Sequence, residues 1–174
     1  MSLLIVDGYN IIFAWQDLKN IAQADLELAR DKLFDTLINY CSYEGHKLLL
    51  VFDAHLTRKA KPNASLKGRN KEKKYLMVFT KRHETADNYI ERFCIDEKNK
   101  RIKKIVASSD KLIQTLIFLK ANRVSARELE ELVIGSKKRL RENIKFTHKK
   151  QGNNIEDIIK KNTYKQLDSI RKQK

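Results

Sequence analysis

Cysteine, proline and glycine are all scarce in this 174-residue chain, which carries two, one and five of them respectively. That scarcity excludes a disulfide scaffold, a collagen-like repeat and a chain dominated by linkers. Cys41 and Cys94 stand alone in apolar helical patterns and read as buried free thiols of a reducing compartment. The four histidines, His46, His55, His83 and His148, show no zinc-ligand spacing with them. Long hydrophobic runs are missing too, so no segment approaches the ~20 apolar residues of a membrane span. Met1 to Asp7 has no basic region, and an acid breaks its short apolar run, unlike a secretory signal. A cytoplasmic protein without a membrane partner is the expectation.

What the chain does contain is positive charge. Lysine and arginine number 37 against 22 aspartates and glutamates, a formal charge of +15. Such an excess points to a polyanionic partner, most commonly nucleic acid; a lysine-enriching coding bias is the plainer alternative. Apolar residues make up 41%, enough for the core of one domain, with room for an appendage.

Short apolar runs alternate with amphipathic stretches. Leu3–Val6, Leu48–Phe52, Tyr75–Phe79 and Ile102–Ala107 are brief, almost continuously apolar and rich in β-branched or aromatic residues, as strands buried on both faces are. Leu26, Ala29, Leu33, Leu37 and Tyr40 recur at helical steps, with Gly45 as the stop. A second helix is expected at 112–119, and a third after the Ser125/Glu128 capping box. This alternation predicts an α/β fold: a mainly parallel sheet of four to five strands, flanked by helices on both faces. Thr57–Lys74 holds eight basic residues against the single acid Glu72, together with Pro62 and Gly68, and reads as a mobile basic loop. The expected organisation is a domain over 1–145 and a basic, helical tail over 146–174. The tail is expected to pack on the domain by one apolar face, with a separate partner-binding helix as the alternative.

The positions of the acids carry the functional argument. Asp7, Asp53 and Asp110 follow the first, second and fourth expected strands. In a parallel sheet all three emerge at the carboxyl edge, where α/β proteins place their sites. If residues 84–91 are helical, Glu84, Asp87, Asn88 and Glu91 share one stripe, opposite Ala86, Tyr89, Ile90, Phe93 and Cys94. Glu84 is the least securely placed, because it falls at the first turn. Each acid has an ordinary reading when taken singly: Asp110 as a helix N-cap, Asp53 as a strand end, Glu84 and Glu91 as solvated charges. Gathered in one cleft, they would need a compensating cation. Oxygen ligands alone suit a hard ion, Mg²⁺ or Mn²⁺, of which one or two could be held.

Several of these segments carry a resemblance. Val-Asp-Gly-Tyr-Asn at 6–10, Val-Phe-Asp at 51–53, Glu-Thr-Ala-Asp-Asn-Tyr-Ile-Glu at 84–91, Ala-Ser-Ser-Asp at 107–110 and Ser-Ala-Arg-Glu-Leu-Glu at 125–130 resemble the YacP-like branch of the NYN-domain ribonucleases, within the PIN-like superfamily. The match runs in order from about Leu3 to Leu140 and is looser beyond Lys145. The resemblance implies a PIN-like sheet and a Mg²⁺- or Mn²⁺-dependent endoribonuclease. Its metal-binding acids would match Asp7, Asp87 and Asp110, with Glu84, Asp53 and Glu91 in support. Asn10 would position Asp7 or the scissile phosphate. The branch also suggests cleavage of mRNA in a ribosome-associated setting.

The expected chemistry is hydrolysis of single-stranded RNA by a metal-activated water, with no nucleotide cofactor. Arg58, Lys59, Lys67, Arg69, Lys71, Lys81 and Arg82 are the expected phosphate-binding residues. Tyr9, Phe13 and Trp15 are candidates to stack on unpaired bases, although such aromatics are more often core, the reading favoured for Phe13. Two rivals stand beside this. An RNA-binding module without catalysis keeps the basic surface but leaves the acids unexplained. A phosphoacceptor receiver domain would use Asp53 and Lys111, but it needs paired acids after the first strand, where Asp7 is followed by Gly-Tyr-Asn.

Overall fold

The computed structural model describes residues 2–54, 74–96, 102–107 and 121–144, and the backbone of 67–68. The chain divides into two compact units, Met1–Ser136 and Lys137–Lys174. The described part of the second unit, 137–144, is helical. The expected helix at 112–119 and the tail at 146–174 lie outside the described residues.

The first unit is an α/β sheet, as the alternating pattern predicts. Its strands are β1 (Leu3–Asp7), β2 (Lys47–Phe52), β3 (Lys67–Gly68), β4 (Tyr75–Phe79), β5 (Lys104–Ala107) and β6 (Asn122–Val124). They lie in the order β3-β4-β2-β1-β5-β6. All neighbours are parallel except β3, which pairs antiparallel to β4 through Lys67↔Met77 and Gly68↔Leu76. Two residues of the expected basic loop are therefore an edge strand. The chain builds outward from β1 through β2 to β4, then crosses to β5 on the other side. The switch point thus falls between β1 and β5, where an open parallel sheet leaves a crevice at its carboxyl ends.

Strand alternation divides the apolar residues between two cores. Leu4, Val6, Leu48, Leu50, Phe52 and Met77 face one side. There they meet α1 (Gly8–Ala14), α2 (Gln16–Ala24), α3 (Leu26–Glu44) and α5 (126–136 within this unit). Leu3, Ile5, Leu49, Val51, Val78 and Val106 face the other, against Ala86, Ile90 and Cys94 of α4 (Ala86–Ile95). Both cysteines are free and buried, as expected.

α3 matches its apolar stripe and ends where expected. Gly45 adopts φ 72°, a left-handed cap that glycine takes without steric cost, and its N–H donates to Cys41 O. The capping box before α5 forms, with Ser125 N–H donating to Glu128 Oε2 at 2.7 Å and Glu128 N–H to Ser125 Oγ at 3.2 Å. Trp15 is buried between α1 and α2, and its Nε1 donates to Ala126 O at 2.8 Å, tying α5 to the other helices of its face.

Candidate active site

Asp7 is both the last residue of β1 and the N-cap of α1. Its Oδ1 accepts from Asn10 N–H at 3.3 Å, so Asn10 touches Asp7 through its backbone. The approach is tight behind it. A Cβ on Gly8 would stand 2.1 Å from Phe52 Cε1, so only glycine lets α1 leave β1 beside that buried ring.

By strand parity Asp7 and Asp53 belong to the face that α4 covers. Asp53 follows β2, and its Oδ1 accepts from Ala86 N–H, the first amide of α4. Thr85 provides the other cap, its Oγ1 accepting from Asn88 N–H at 3.2 Å. Asp87 therefore lies in the first turn of α4, where the helix dipole favours a carboxylate. Its Oδ1 is sealed from water.

Asp7, Asp53 and Asp87 form one electrostatic group. Burial pushes the Asp7 carboxyl up from 3.8 to about 6; the Asn10 amide opposes this, and the charges of Asp87 and Asp53 add to it. Carboxylates so arranged raise one another's pKa, and all their donor atoms are hard oxygens suited to Mg²⁺ or Mn²⁺. Among the described residues, no three His, Cys, Asp or Glu side chains form a metal-holding group. Asp110 lies outside the described residues, three positions beyond Ala107, which pairs with Val6 in β5. β5 itself lies across the switch point from β1.

Glu84 stands apart from this group. It precedes α4, and its Oε1 pairs with Arg92 Nη2 at 2.7 Å while Oε2 accepts from Lys81 N–H at 3.4 Å. Thr80 Oγ1 donates to Glu84 O at 2.6 Å and accepts from Ala54 N–H at 3.1 Å, and Glu84 N–H returns to Lys81 O at 3.0 Å. These bonds clamp the turn at 81–84, which includes His83 at φ 71°, against the end of β2. Lys81 and Arg82 are exposed on that turn, at the same sheet edge as the acids. Glu91 is half-buried one turn beyond Asp87, about 6 Å further along the helix axis. Neither Glu84 nor Glu91 is among the charges that act on Asp7.

The aromatics after Asp7 separate sharply. Tyr9 and Trp15 are buried, whereas Phe13 is 50% exposed, so the expectation of a core Phe13 is corrected. It stands one turn after Tyr9 in the last turn of the short α1, where Ala14 is exposed too, while Tyr9, Ile11 and Ile12 are buried. Arg58, Lys59, Arg69 and Lys71 lie outside the described residues, and Lys67 is described by its backbone in β3.

Sequence reasoning missed Thr80, Arg92 and Arg30. Thr80 is a hydroxyl directly after a strand, and Arg92 is a base on the acidic helix; neither has a motif. Arg30 did leave a trace: it stands four residues from both Leu26 and Phe34, at the margin of the apolar stripe of α3.

The family described as the YacP-like NYN domain matches residues 4–172. This chain belongs to that family. YacP of Bacillus subtilis is 36% identical over 165 residues, covering 92% of this chain and 94% of its own length. The crystal structure titled Rae1 (YacP), from the same organism, superposes with a TM-score of 0.69 at 35% identity, over 99% of this chain and 95% of that one. A crystal structure of a mutant of that protein gives 0.66 at 34% identity, over 83% and 81%. Membership of the YacP-like NYN family implies a nuclease-like, RNA-related function. No helix among the described residues is long and apolar enough to cross a membrane.

Proposed function

We propose that this YacP-like NYN protein is a divalent-metal-dependent endoribonuclease that hydrolyses single-stranded RNA, with mRNA on the ribosome as its setting. The observation that carries the reading is the raised Asp7 carboxyl, about 6, beside Asp53 and Asp87 in a protein of charge +15. A basic protein that crowds acids at one sheet edge stabilises them best with a cation that a phosphodiester can share.

Asp7 and Asp87 are the residues that would hold a metal, with Asp110 as the third. Bound Mg²⁺ or Mn²⁺ would lower the pKa of a water and stabilise the charge developing on the phosphoryl group. Asp53 acts on Asp87 by fixing the first amide of α4. Lys81 and Arg82, presented by the clamped turn, neutralise backbone phosphates. Glu84 acts as the clamp of that turn. Asn10 holds the Asp7 carboxylate in place through its amide.

The test is incubation of a long single-stranded RNA with Mn²⁺ or Mg²⁺ and wild type, Asp7→Asn or Asp87→Asn, with EDTA as control. Cleavage by wild type alone, abolished by EDTA, supports the reading. Should wild type be inert on free RNA, the same comparison is made on translating ribosomes. Inertness there too, with RNA binding retained, would assign the chain to an RNA-binding module without catalysis.

A further inference from the structure

Tyr9 and Phe13 lie one turn apart on α1, the helix that Asp7 caps. The buried Tyr9 ring packs edge-on against Phe52 with centroids 4.9 Å apart. Phe13 stacks on Tyr9 at 6.2 Å and 22°, leaving half of its surface in water. A single exposed aromatic is ordinary on a protein surface. This one is braced by Tyr9, and Tyr9 in turn holds a cation. Arg30 Nη1 donates to Tyr9 Oη at 3.0 Å, and its guanidinium lies 5.6 Å from the centroid of the Phe79 ring. Both partners are uncharged, so neither cancels the arginine's charge. Phe79 and Phe52 pair in register at the carboxyl ends of β4 and β2, and Asp53 directly follows Phe52, so this cluster lies at the sheet edge that carries the acids. Phe13 is six residues past Asp7, about 9 Å along the helix axis.

We propose that Phe13, braced by Tyr9, is a stacking platform for an unpaired base of RNA lying across the acidic edge, and that Arg30 grips a neighbouring phosphate. The proposal rests on the nuclease reading and deepens it, because it assigns a base subsite close to the point of cleavage. A ring already stacked on its inner face offers its outer face to a base without reordering. Such stacking is tolerant of sequence, since every base has a π-face. The guanidinium, fixed by Tyr9 and Phe79, loses little further freedom when its fork meets a phosphate.

The test is fluorescence anisotropy with a labelled single-stranded RNA and a set of the same strand carrying one abasic residue at each position. It is done in the full chain with Asp7→Asn, which stops cleavage on the nuclease reading. Adding Phe13→Ala should weaken binding on the order of ten-fold, and Phe13→Trp should retain it. One abasic position should cost the parent a similar factor and cost the Phe13→Ala protein nothing. Arg30→Gln should lower the slope of log affinity against log salt by about 0.7, with circular dichroism melting to check that it folds. If the parent binds RNA, Phe13→Ala binds the intact strand as tightly as the parent, and no abasic position weakens binding by the parent, the platform is overturned and the nuclease reading stands. If neither the parent nor wild type binds RNA at low salt, both are overturned.

Discussion

Replacing Asp7 by Asn should stabilise the metal-free protein at neutral pH while removing its activity. The native carboxyl titrates near 6 against 3.8 for an ordinary aspartate, so at pH 7.5 folding carries the cost of an ionised group that its surroundings disfavour. The gap corresponds to about 3 kcal/mol, an upper figure because solvent relaxation reduces it. Asn retains the N-cap to Asn10 N–H and removes the charge that Asp53 and Asp87 oppose. The sign follows from linkage. Between pH 3.8 and 6 the native state binds more protons than the unfolded state, so stability from this group is full below that window and falls as pH rises through it. Urea unfolding of both proteins in EDTA should therefore show the variant more stable by about 1–3 kcal/mol at pH 7.5, and the gap should fall to roughly a third of that at pH 4.5 and close only below pH 3.8. Millimolar Mg²⁺ or Mn²⁺ should raise the wild-type midpoint selectively, because a ligand that binds only the native state stabilises it. A variant no more stable than wild type at pH 7.5, or a difference that ignores pH, would refute the account of Asp7 as a buried carboxyl whose ionised form its surroundings disfavour.

Gly8→Ala should destabilise by about 1–3 kcal/mol or more, read as a lower urea midpoint, because the new methyl would meet the buried Phe52 ring at 2.1 Å. Trp15→Phe removes the Nε1 bond to Ala126 O; a loss of about 1–3 kcal/mol is expected, with the pH profile of cleavage unchanged. Glu84→Gln should weaken RNA binding at high salt by releasing the Lys81–Arg82 turn, with Mn²⁺ affinity by calorimetry unchanged. A fall in Mn²⁺ affinity would return Glu84 to the metal site.

The sequence by itself determined the layering of this protein. Buried strands at 3–6, 48–52 and 75–79 had to be continuous in apolar residues because both faces are covered, and their shortness and β-branched or aromatic content marked them as strands. The stop at Gly45 and the capping box at Ser125 were equally legible, since each meets a local backbone demand with a local residue. So was the gathering of Asp7, Asp53 and Asp87: strand ends and a helix face follow from period alone. β6 escaped because an edge strand of Asn-Arg-Val brings only Val124 to the core, too little to leave a pattern. α1 escaped because Gly, Tyr, Asn and paired Ile are weak helix formers, held here by the Asp7 cap and by packing, and α2 because it starts at Trp15 with no side-chain cap to mark it. Only the tertiary structure decided which acids act on one another. Glu84 and Asp87 are three residues apart, yet one pairs with Arg92 and the other adds its charge to Asp7. It also turned Phe13 outward while burying Tyr9 and brought Arg30 from another helix to the same edge. Contacts between distant segments depend on where α3 and α4 cross the sheet, and no local spacing encodes that.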